Sequence, residues 1–291
     1  MNQPPSLQDW SRFVRILLLT LGIGFTVAGI IFFFAYNWDA LPKLAKLSIT
    51  GGLLIVTTLL SLRQQFDPMI RNILLTAAAA LVGVLFAVYG QIYQTGANAY
   101  DFFLAWTVFI SIWVLAANFA PLWVLYLLLI NTTILLYADQ VANHWSDQLV
   151  FILLFLVNLV ALIISKFLLK AGKAIPIWFT NLVALAAISF STLGIIIGIF
   201  ENKQFDFWLL VALAALAYAT GIWYGFKQHS LFYLSIIPLS LIILITSCIF
   251  KISDNSGGFL LASFFIIGSA TVTIKYLLDL QKKWAHEQHG N

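Results

Sequence analysis

Long apolar segments follow one another along the whole chain, separated by short stretches rich in charge, Pro, Gly or Asn. A membrane-spanning helix needs about 20 mostly apolar residues. In hydrocarbon the backbone must satisfy its own hydrogen bonds, which a helix does within one segment. The pattern therefore predicts an all-α integral membrane protein with about ten transmembrane helices, at residues 16–36, 44–62, 72–89, 102–117, 122–137, 149–168, 175–200, 207–226, 231–250 and 259–278.

The fourth and fifth apolar runs are the shortest, and only residues 118–121 separate them. They are either two short spans or one re-entrant hairpin. Two spans are favoured, because a re-entrant pair of this length is uncommon. Both interpretations leave the predicted side of every other loop unchanged.

Composition excludes a water-soluble fold. The chain is 62% hydrophobic and 9% charged, with a mean hydropathy of +0.98, whereas soluble domains are about 25% charged. The net charge of +4 is small and dispersed, so we expect membrane lipids as partners and no nucleic acid. Cys248 is the only cysteine, which excludes an intrachain disulfide and a cysteine-cluster metal site.

Basic residues predict the orientation. The first run follows Arg12 and Arg15, is longer than a signal-peptide core and lacks a cleavage pattern, so it is read as a retained span. Eleven of the 15 Lys and Arg residues fall on the side of the N-terminus when the predicted spans alternate. The positive-inside rule then places both termini in the cytoplasm of a bacterial-type inner membrane. Residues 279–291 are expected to form a short cytoplasmic tail.

The domain organisation is predicted as one polytopic membrane domain over residues 1–291, in which residues 146–278 supply the remaining helices. Loop spacing also suggests a repeat: Asn37 and Glu201 are 164 residues apart, as are Arg63 and Lys227. Helices 1–4 would then correspond to helices 7–10 in parallel orientation. The alternative is that the spacing coincides because all spans have similar lengths, and residue identities across the two halves match poorly.

Polar residues inside the spans are few. No charged residue or histidine lies near the middle of a span, which argues against a carrier coupled to protons or sodium through a buried acid. Asn131, Asn158 and Asn181 are the deepest strong polar groups, and such residues more often join helices than bind substrate. Small residues, Gly194 with Gly198 and the Gly22–Gly29 segment, are expected to allow close helix packing.

The loops predicted to be outer carry the candidate chemistry. The loops at 37–43, 89–101 and 139–147 concentrate amide, phenol, carboxylate and imidazole groups at one face, where a hydrated cleft could hold a polar headgroup or a sugar. The alternative is a set of interfacial turns with Asn and Gly at helix ends. The candidate outer-face polar site comprises Asn37, Trp38, Asp39, Gln91, Tyr93, Gln94 and Asp101.

Catalytic residues, cofactors and resident metals are not predicted. His144 with Asp139 and Asp147 is a weak candidate for a metal site, because a single loop histidine is poor evidence of one.

Two short motifs carry a family resemblance. Phe34-Ala35-Tyr36-Asn37-Trp38 is followed by Leu41-Pro42 and Lys46, and Gly90-Gln91-Ile92-Tyr93-Gln94 comes later in the same order as in the family. The region of about residues 10–145 resembles bacterial membrane proteins grouped as domain of unknown function 2157. The resemblance implies a multi-span inner-membrane protein of uncharacterised activity and supplies no catalytic residue. Members often carry a short soluble helical segment before the first span, which is almost lacking here.

Three functions compete. The first is a permease or flippase-like protein that handles a small polar or lipidic molecule. The second is a non-transporting envelope scaffold that assembles with other, unidentified membrane proteins. The third is an intramembrane enzyme acting on lipid-linked substrates, which ranks last because only His144 and its neighbouring carboxylates offer reactive groups.

Overall fold

The computed structural model describes residues 6–37, 40–94, 96–201, 205–253 and 255–289. These residues form ten α-helices and contain no strand, which confirms the all-α prediction. All ten helices are long and apolar enough to cross a membrane. They are α1 (Leu7–Asn37), α2 (Lys43–Leu62), α3 (Pro68–Tyr93), α4 (Ala99–Ala117), α5 (Ala120–Gln140), α6 (Asp147–Lys170), α7 (Ile177–Phe200), α8 (Phe205–Lys227), α9 (Leu231–Ile252) and α10 (Ser256–His289).

The helix ends follow local chemistry. Asp67 accepts a hydrogen bond from the N–H of Met69 at 2.8 Å, and Pro68 starts α3. Asn118 ends α4 in the left-handed conformation, with φ of 45°. Helices α4 and α5 contain 19 and 21 residues. Since each is long enough to cross a membrane, the two-span interpretation is favoured over the hairpin.

Helix α10 extends well beyond its apolar segment. It runs from Ser256 to His289, so most of the predicted tail at 279–291 is helical. The sequence between 279 and 289 contains no Gly or Pro and is rich in Leu, Gln, Lys, Glu and Ala, which favour helix. Lys282 and Lys283 of the tail therefore lie on a helix that continues directly from the last span.

The chain forms two compact units, Met1–Tyr126 and Leu127–Asn291. In the first unit α2 packs against α3, and Arg71 Nε donates to the carbonyl of Ser61 at the end of α2 at 3.0 Å. Trp106 on α4 donates its indole N–H to the carbonyl of Ala79 at 2.8 Å. Its ring lies against Gly83, where an added Cβ would come within 2.5 Å of it. The single-domain organisation remains a prediction.

The core of the second unit lies among α6, α7, α8 and α9. Gly194 and Gly198 on α7 allow this packing, because an added Cβ would lie 2.5 Å from Phe151 Cβ and 2.2 Å from Phe207 Cδ2, respectively. The close-packing prediction is confirmed for these two glycines. It is wrong for Gly22, Gly24 and Gly29, which have open space at the Cβ position. The core residues are Ile152, Phe155, Ala184, Ala187, Ile195, Ile199, Phe207, Leu210, Ala214, Tyr218, Tyr233 and Ile237.

Two groups of buried polar side chains in the second unit form hydrogen bonds among themselves. Asn158 Nδ2 donates to Asn131 Oδ1 at 3.0 Å, which confirms that these asparagines join helices. Sequence patterns missed a second group, the hydroxyls of Ser191, Thr192, Tyr218 and Ser240, which connect α7, α8 and α9. These groups need no ligand to complete their hydrogen bonds.

The proposed repeat of helices 1–4 and 7–10 stays a prediction. Its first pair of helices differs in environment: the apolar window of α7 is 50% buried, whereas none of the window at Trp10–Ile30 in α1 is buried. Equivalent positions in a repeat can diverge in this way only if their packing partners differ.

Candidate functional site

The predicted outer-face site lies partly outside the described residues, as Trp38 and Asp39 do. Asn37 is the last residue of α1, and its side chain is also outside the description. The distance from these three side chains to Gln91 and Gln94 is therefore outside what the structure describes. The shared site remains a prediction.

The second motif lies where α3 ends. Helix α3 stops at Tyr93, and Gln94 adopts a left-handed conformation with φ of 44°. Gln91 and Gln94 therefore do not share a helical face, because the three-residue spacing places them together only if the helix continues. Both side chains are exposed, and Tyr93 contacts Tyr89 with ring centroids 4.6 Å apart.

Asp101 has a local structural role. Its Oδ2 accepts the backbone N–H of Asn98 at 3.1 Å, at the start of α4. A carboxylate in the first turn of a helix also interacts favourably with the helix dipole. For this residue the arrangement favours the interpretation as an interfacial turn.

Lys46 in the first motif has an environment that the sequence did not reveal. It is 7% exposed and is the one charged residue among the buried residues described. A buried ammonium requires a partner, and Lys46 does take part in an interaction within the chain. Lys46 is the fourth residue of α2, so a hydropathy profile places it at the boundary of the span and gives no sign that it is buried.

A pocket of about 370 Å³ lies in the second unit, at the end of α5 and the start of α6. Its polar side is formed by Asp139, Asn143 and Asp147, with the indole of Trp145. Its apolar side is formed on the two helices themselves. The lining residues are Leu135, Ala138, Asp139, Asn143, Trp145, Asp147, Val150 and Phe151.

The loop between α5 and α6 is held by local hydrogen bonds. The N–H of Trp145 donates to the carbonyl of Ala142 at 2.8 Å, and Ala142 is buried. Ser146 Oγ accepts the N–H of Leu149 at 3.1 Å, which caps α6 and makes Asp147 its first residue. Trp145 also packs on Tyr137, with ring centroids 5.4 Å apart. The pocket wall is therefore anchored at both ends.

Among the described residues, four carboxylates lie at this end of the second unit, and they fall into two groups. Asp206 accepts from Ser146 Oγ at 2.5 Å, and Glu201 accepts from Gln148 Nε2 at 2.9 Å. Asp139 and Asp147 line the pocket. Within the described ranges, neither of these two side chains forms a hydrogen bond or an ion pair.

One basic residue described at this end of the second unit, Lys251, interacts with α7 and does not line the pocket. Lys251 Nζ donates to the carbonyl of Phe200 at 3.2 Å and lies 5.8 Å from the centre of the Phe200 ring. Its ammonium thus provides a hydrogen-bond donor for a backbone carbonyl at the C-terminal end of α7. Among the residues that the structure describes, the pocket lining contains two carboxylates, Asp139 and Asp147, and no basic residue.

A metal centre has no support in this arrangement. His144 is exposed and does not line the pocket. In the ranges that the structure describes, His, Cys, Asp and Glu side chains form no group of three that could hold a metal ion. The sequence predicts that the loop 139–147 is polar, but the candidate outer-face site does not include the residues of the pocket.

These features define a multi-pass α-helical membrane protein. Residues 4–123 match a family model whose description is predicted membrane protein, domain of unknown function 2157. This match confirms the resemblance carried by the two motifs in the first part of the chain. No curated protein and no solved structure matches the chain. The pocket lies beyond the matched residues.

Proposed function

We propose that the protein is a permease or flippase-like handler of a small polar or lipidic molecule. The observation that carries the proposal is the pocket at the α5–α6 loop, which combines polar and apolar walls. Pockets with apolar walls and a few convergent polar groups are typical ligand sites. We place it on the outer face of a bacterial inner membrane, with both termini cytoplasmic, on the basis of the basic residues.

The buried polar groups support uncoupled handling over ion-coupled transport. Asn131 with Asn158, and Tyr218 with its hydroxyl partners, already satisfy one another inside the second unit. A proton- or sodium-coupled carrier generally needs an ionisable group at depth. The buried lysine, Lys46, lies near one end of its helix instead.

A second candidate is a non-transporting scaffold for other membrane proteins. It is favoured by α1, whose apolar window at Trp10–Ile30 has no buried residue and is therefore open to lipid or to another protein. The pocket is not used in this function, so blocking it distinguishes the two candidates.

The proposal is tested in proteoliposomes. Flipping is followed by dithionite reduction of fluorescent NBD-labelled lipids, and small-sugar entry is followed by osmotic light scattering. We expect the protein to accelerate at least one process over protein-free vesicles. Ala138→Trp, which fills the pocket, should abolish the acceleration. Ala174→Trp is the matched control, since Ala174 is exposed in the α6–α7 connection.

Two results would overturn the proposal. One is wild-type protein that accelerates neither process when its incorporation is verified. The other is acceleration that survives in Ala138→Trp as fully as in Ala174→Trp, because transport would then not use this pocket. In the first case, crosslinking from α1 to co-purified membrane proteins is the measurement that favours the scaffold.

A further inference from the structure

We infer that the pocket at the α5–α6 loop recognises a primary ammonium group carried by an amphiphile, such as an aminophospholipid headgroup. The inference rests on the proposed function, because it names the ligand class for the same pocket. It depends on three features of the pocket: two carboxylates that have no partner among the described residues, its hydrogen-bond acceptors, and the placement of its apolar walls.

Charge gives the sign of the ligand. Asp206 and Glu201, at the same end of the unit, are tied to Ser146 and Gln148. Asp139 and Asp147 have no such partner among the described residues, although both line a cavity. Two carboxylates facing one cavity repel each other, and a cation placed between them removes the repulsion. An anionic headgroup would add to it.

Hydrogen bonding favours a primary over a quaternary ammonium. A primary ammonium has only N–H donors. The pocket offers acceptors on Asp139, Asp147 and the amide oxygen of Asn143. Charge-assisted hydrogen bonds of this kind are the strong ones, and Trp145, which also lines the pocket, is an aromatic residue of the type that forms cation–π interactions. A quaternary ammonium has no N–H donor and would leave these acceptors unused.

Helical spacing indicates that the ligand also has an apolar part. Leu135 lies four residues before Asp139 on α5, and Phe151 lies four residues after Asp147 on α6. Residues four apart share a helical face. Each helix thus presents a carboxylate at its end and an apolar side chain one turn deeper, both lining the pocket. This order matches a headgroup in the polar end of the pocket and an acyl chain along the helices.

The test measures the unfolding temperature, Tm, of the full-length protein in detergent. Dihexanoyl phosphatidylethanolamine, dihexanoyl phosphatidylcholine, dihexanoyl phosphatidylglycerol and free ethanolamine are titrated separately. A ligand that binds the folded state raises Tm. We expect the phosphatidylethanolamine to raise Tm at the lowest concentration. If free ethanolamine raises Tm at the same concentration, the pocket recognises the ammonium group, but the inference that its apolar walls bind an acyl chain is wrong.

Substitutions identify the groups responsible. In the double variant Asp139→Asn with Asp147→Asn, the concentration of phosphatidylethanolamine that gives half of the maximal rise in Tm should increase roughly tenfold or more. The reason is that losing a charged hydrogen-bond acceptor lowers the binding affinity by a factor of about this size or larger. Asp279→Asn, an exposed carboxylate on α10, is the matched control and should change nothing. The single variants replace the double variant if the latter does not fold, as judged by its Tm without ligand.

The inference and the proposed function fail differently. If all three lipids raise Tm equally and the Asp variants respond like wild type, ammonium recognition is wrong while lipid handling stands. If the protein flips lipids but no amine changes Tm, ammonium recognition is again wrong. If vesicle assays show no transport yet phosphatidylethanolamine binds through Asp139 and Asp147, the pocket assignment holds and the transport function is wrong.

Discussion

Asn158 on α6 donates from Nδ2 to Oδ1 of Asn131 on α5 at 3.0 Å, and a reciprocal contact of 3.4 Å completes the amide pair. Asn158 is 2% exposed and donates also to the carbonyl of Leu154 at 2.8 Å. Hydrogen bonds between membrane helices contribute about 0.6 kcal/mol on average. Leaving a buried amide without its partner costs more, about 1–3 kcal/mol.

Asn131→Leu should therefore lower the free energy of unfolding by about 1–2 kcal/mol, because it leaves the amide of Asn158 with only part of its bonding. Asn131→Leu with Asn158→Leu should cost less than the sum of the single changes, since no unpaired amide remains. Denaturant unfolding followed by circular dichroism measures both. Asn181→Leu is the control, as the structure describes no side-chain hydrogen bond for Asn181. Additive losses would contradict the pairing.

Two glycines with different surroundings allow a second prediction. Gly198→Ala places a Cβ 2.2 Å from Phe207 Cδ2, whereas Gly22→Ala meets no atom within 4 Å. We expect the first to lower Tm, because α7 and α8 must separate or Phe207 must move. Gly22→Ala should leave Tm unchanged or raise it, since Ala favours helix by about 1 kcal/mol over Gly. Equal effects would show that helix propensity, not packing, governs both sites.

The sequence predicts the spans and their number because apolar length is dictated by membrane thickness. It also predicts that Asn158 joins helices, since a lone amide in hydrocarbon has few alternatives. Close packing was predicted correctly for Gly198 but wrongly for Gly22, because the motif describes one helix and not its neighbour. Helical identity of residues 279–289 was missed because hydropathy reports burial in lipid and not helix propensity.

The candidate site was harder to predict for a similar reason. Asp139 and Asp147 were visible as loop residues, but their joint placement on one cavity depends on how α5 and α6 end. The end of α3 before Gln94 depends on a left-handed backbone, which the sequence does not signal without a glycine. Burial of Lys46 depends on how α2 packs against its neighbours, and hydropathy averaged along the sequence does not report such contacts.

Gln94 provides a third prediction, because a motif residue occupies a backbone conformation that suits glycine. Its φ is 44°, and a left-handed conformation costs a residue with a side chain roughly 1 kcal/mol relative to glycine. Gln94→Gly should therefore raise Tm. If the glutamine side chain serves the predicted outer-face site, this variant should lose ligand-induced stabilisation while gaining stability. A lower Tm would indicate that the side chain makes a stabilising contact.

Orientation is tested by cysteine labelling. In a Cys248→Ser background, Ala97→Cys and Gln228→Cys place single exposed thiols on the α3–α4 and α8–α9 connections. An impermeant maleimide added to intact spheroplasts should label the first and not the second, as the positive-inside rule predicts. Labelling of Gln228→Cys alone would reverse the orientation and place the pocket on the cytoplasmic face.

The hydroxyl group connecting α7, α8 and α9 gives a prediction about cooperativity. Tyr218 Oη contacts Ser240 Oγ at 2.8 Å and Ser191 Oγ at 3.0 Å, and Ser240 Oγ contacts Thr192 Oγ1 at 2.6 Å. Ser191 and Thr192 each donate as well to the carbonyl of Ile188. Ser240 thus has two hydroxyl partners, and either one is sufficient to pair its own O–H.

Single removals should consequently be mild. Tyr218→Phe leaves Ser240 bonded to Thr192, and Thr192→Val leaves it bonded to Tyr218. Each should lower the free energy of unfolding by about 0.5–1.5 kcal/mol for every hydrogen bond that is lost and not replaced. The double variant removes both partners and leaves a buried hydroxyl, so its loss should exceed the sum of the two single losses. A double-mutant cycle of denaturant unfolding gives the difference. A loss equal to that sum would mean that Ser240 turns to a carbonyl of its own helix, as serines in membrane helices can do, and that the network does not act as a unit.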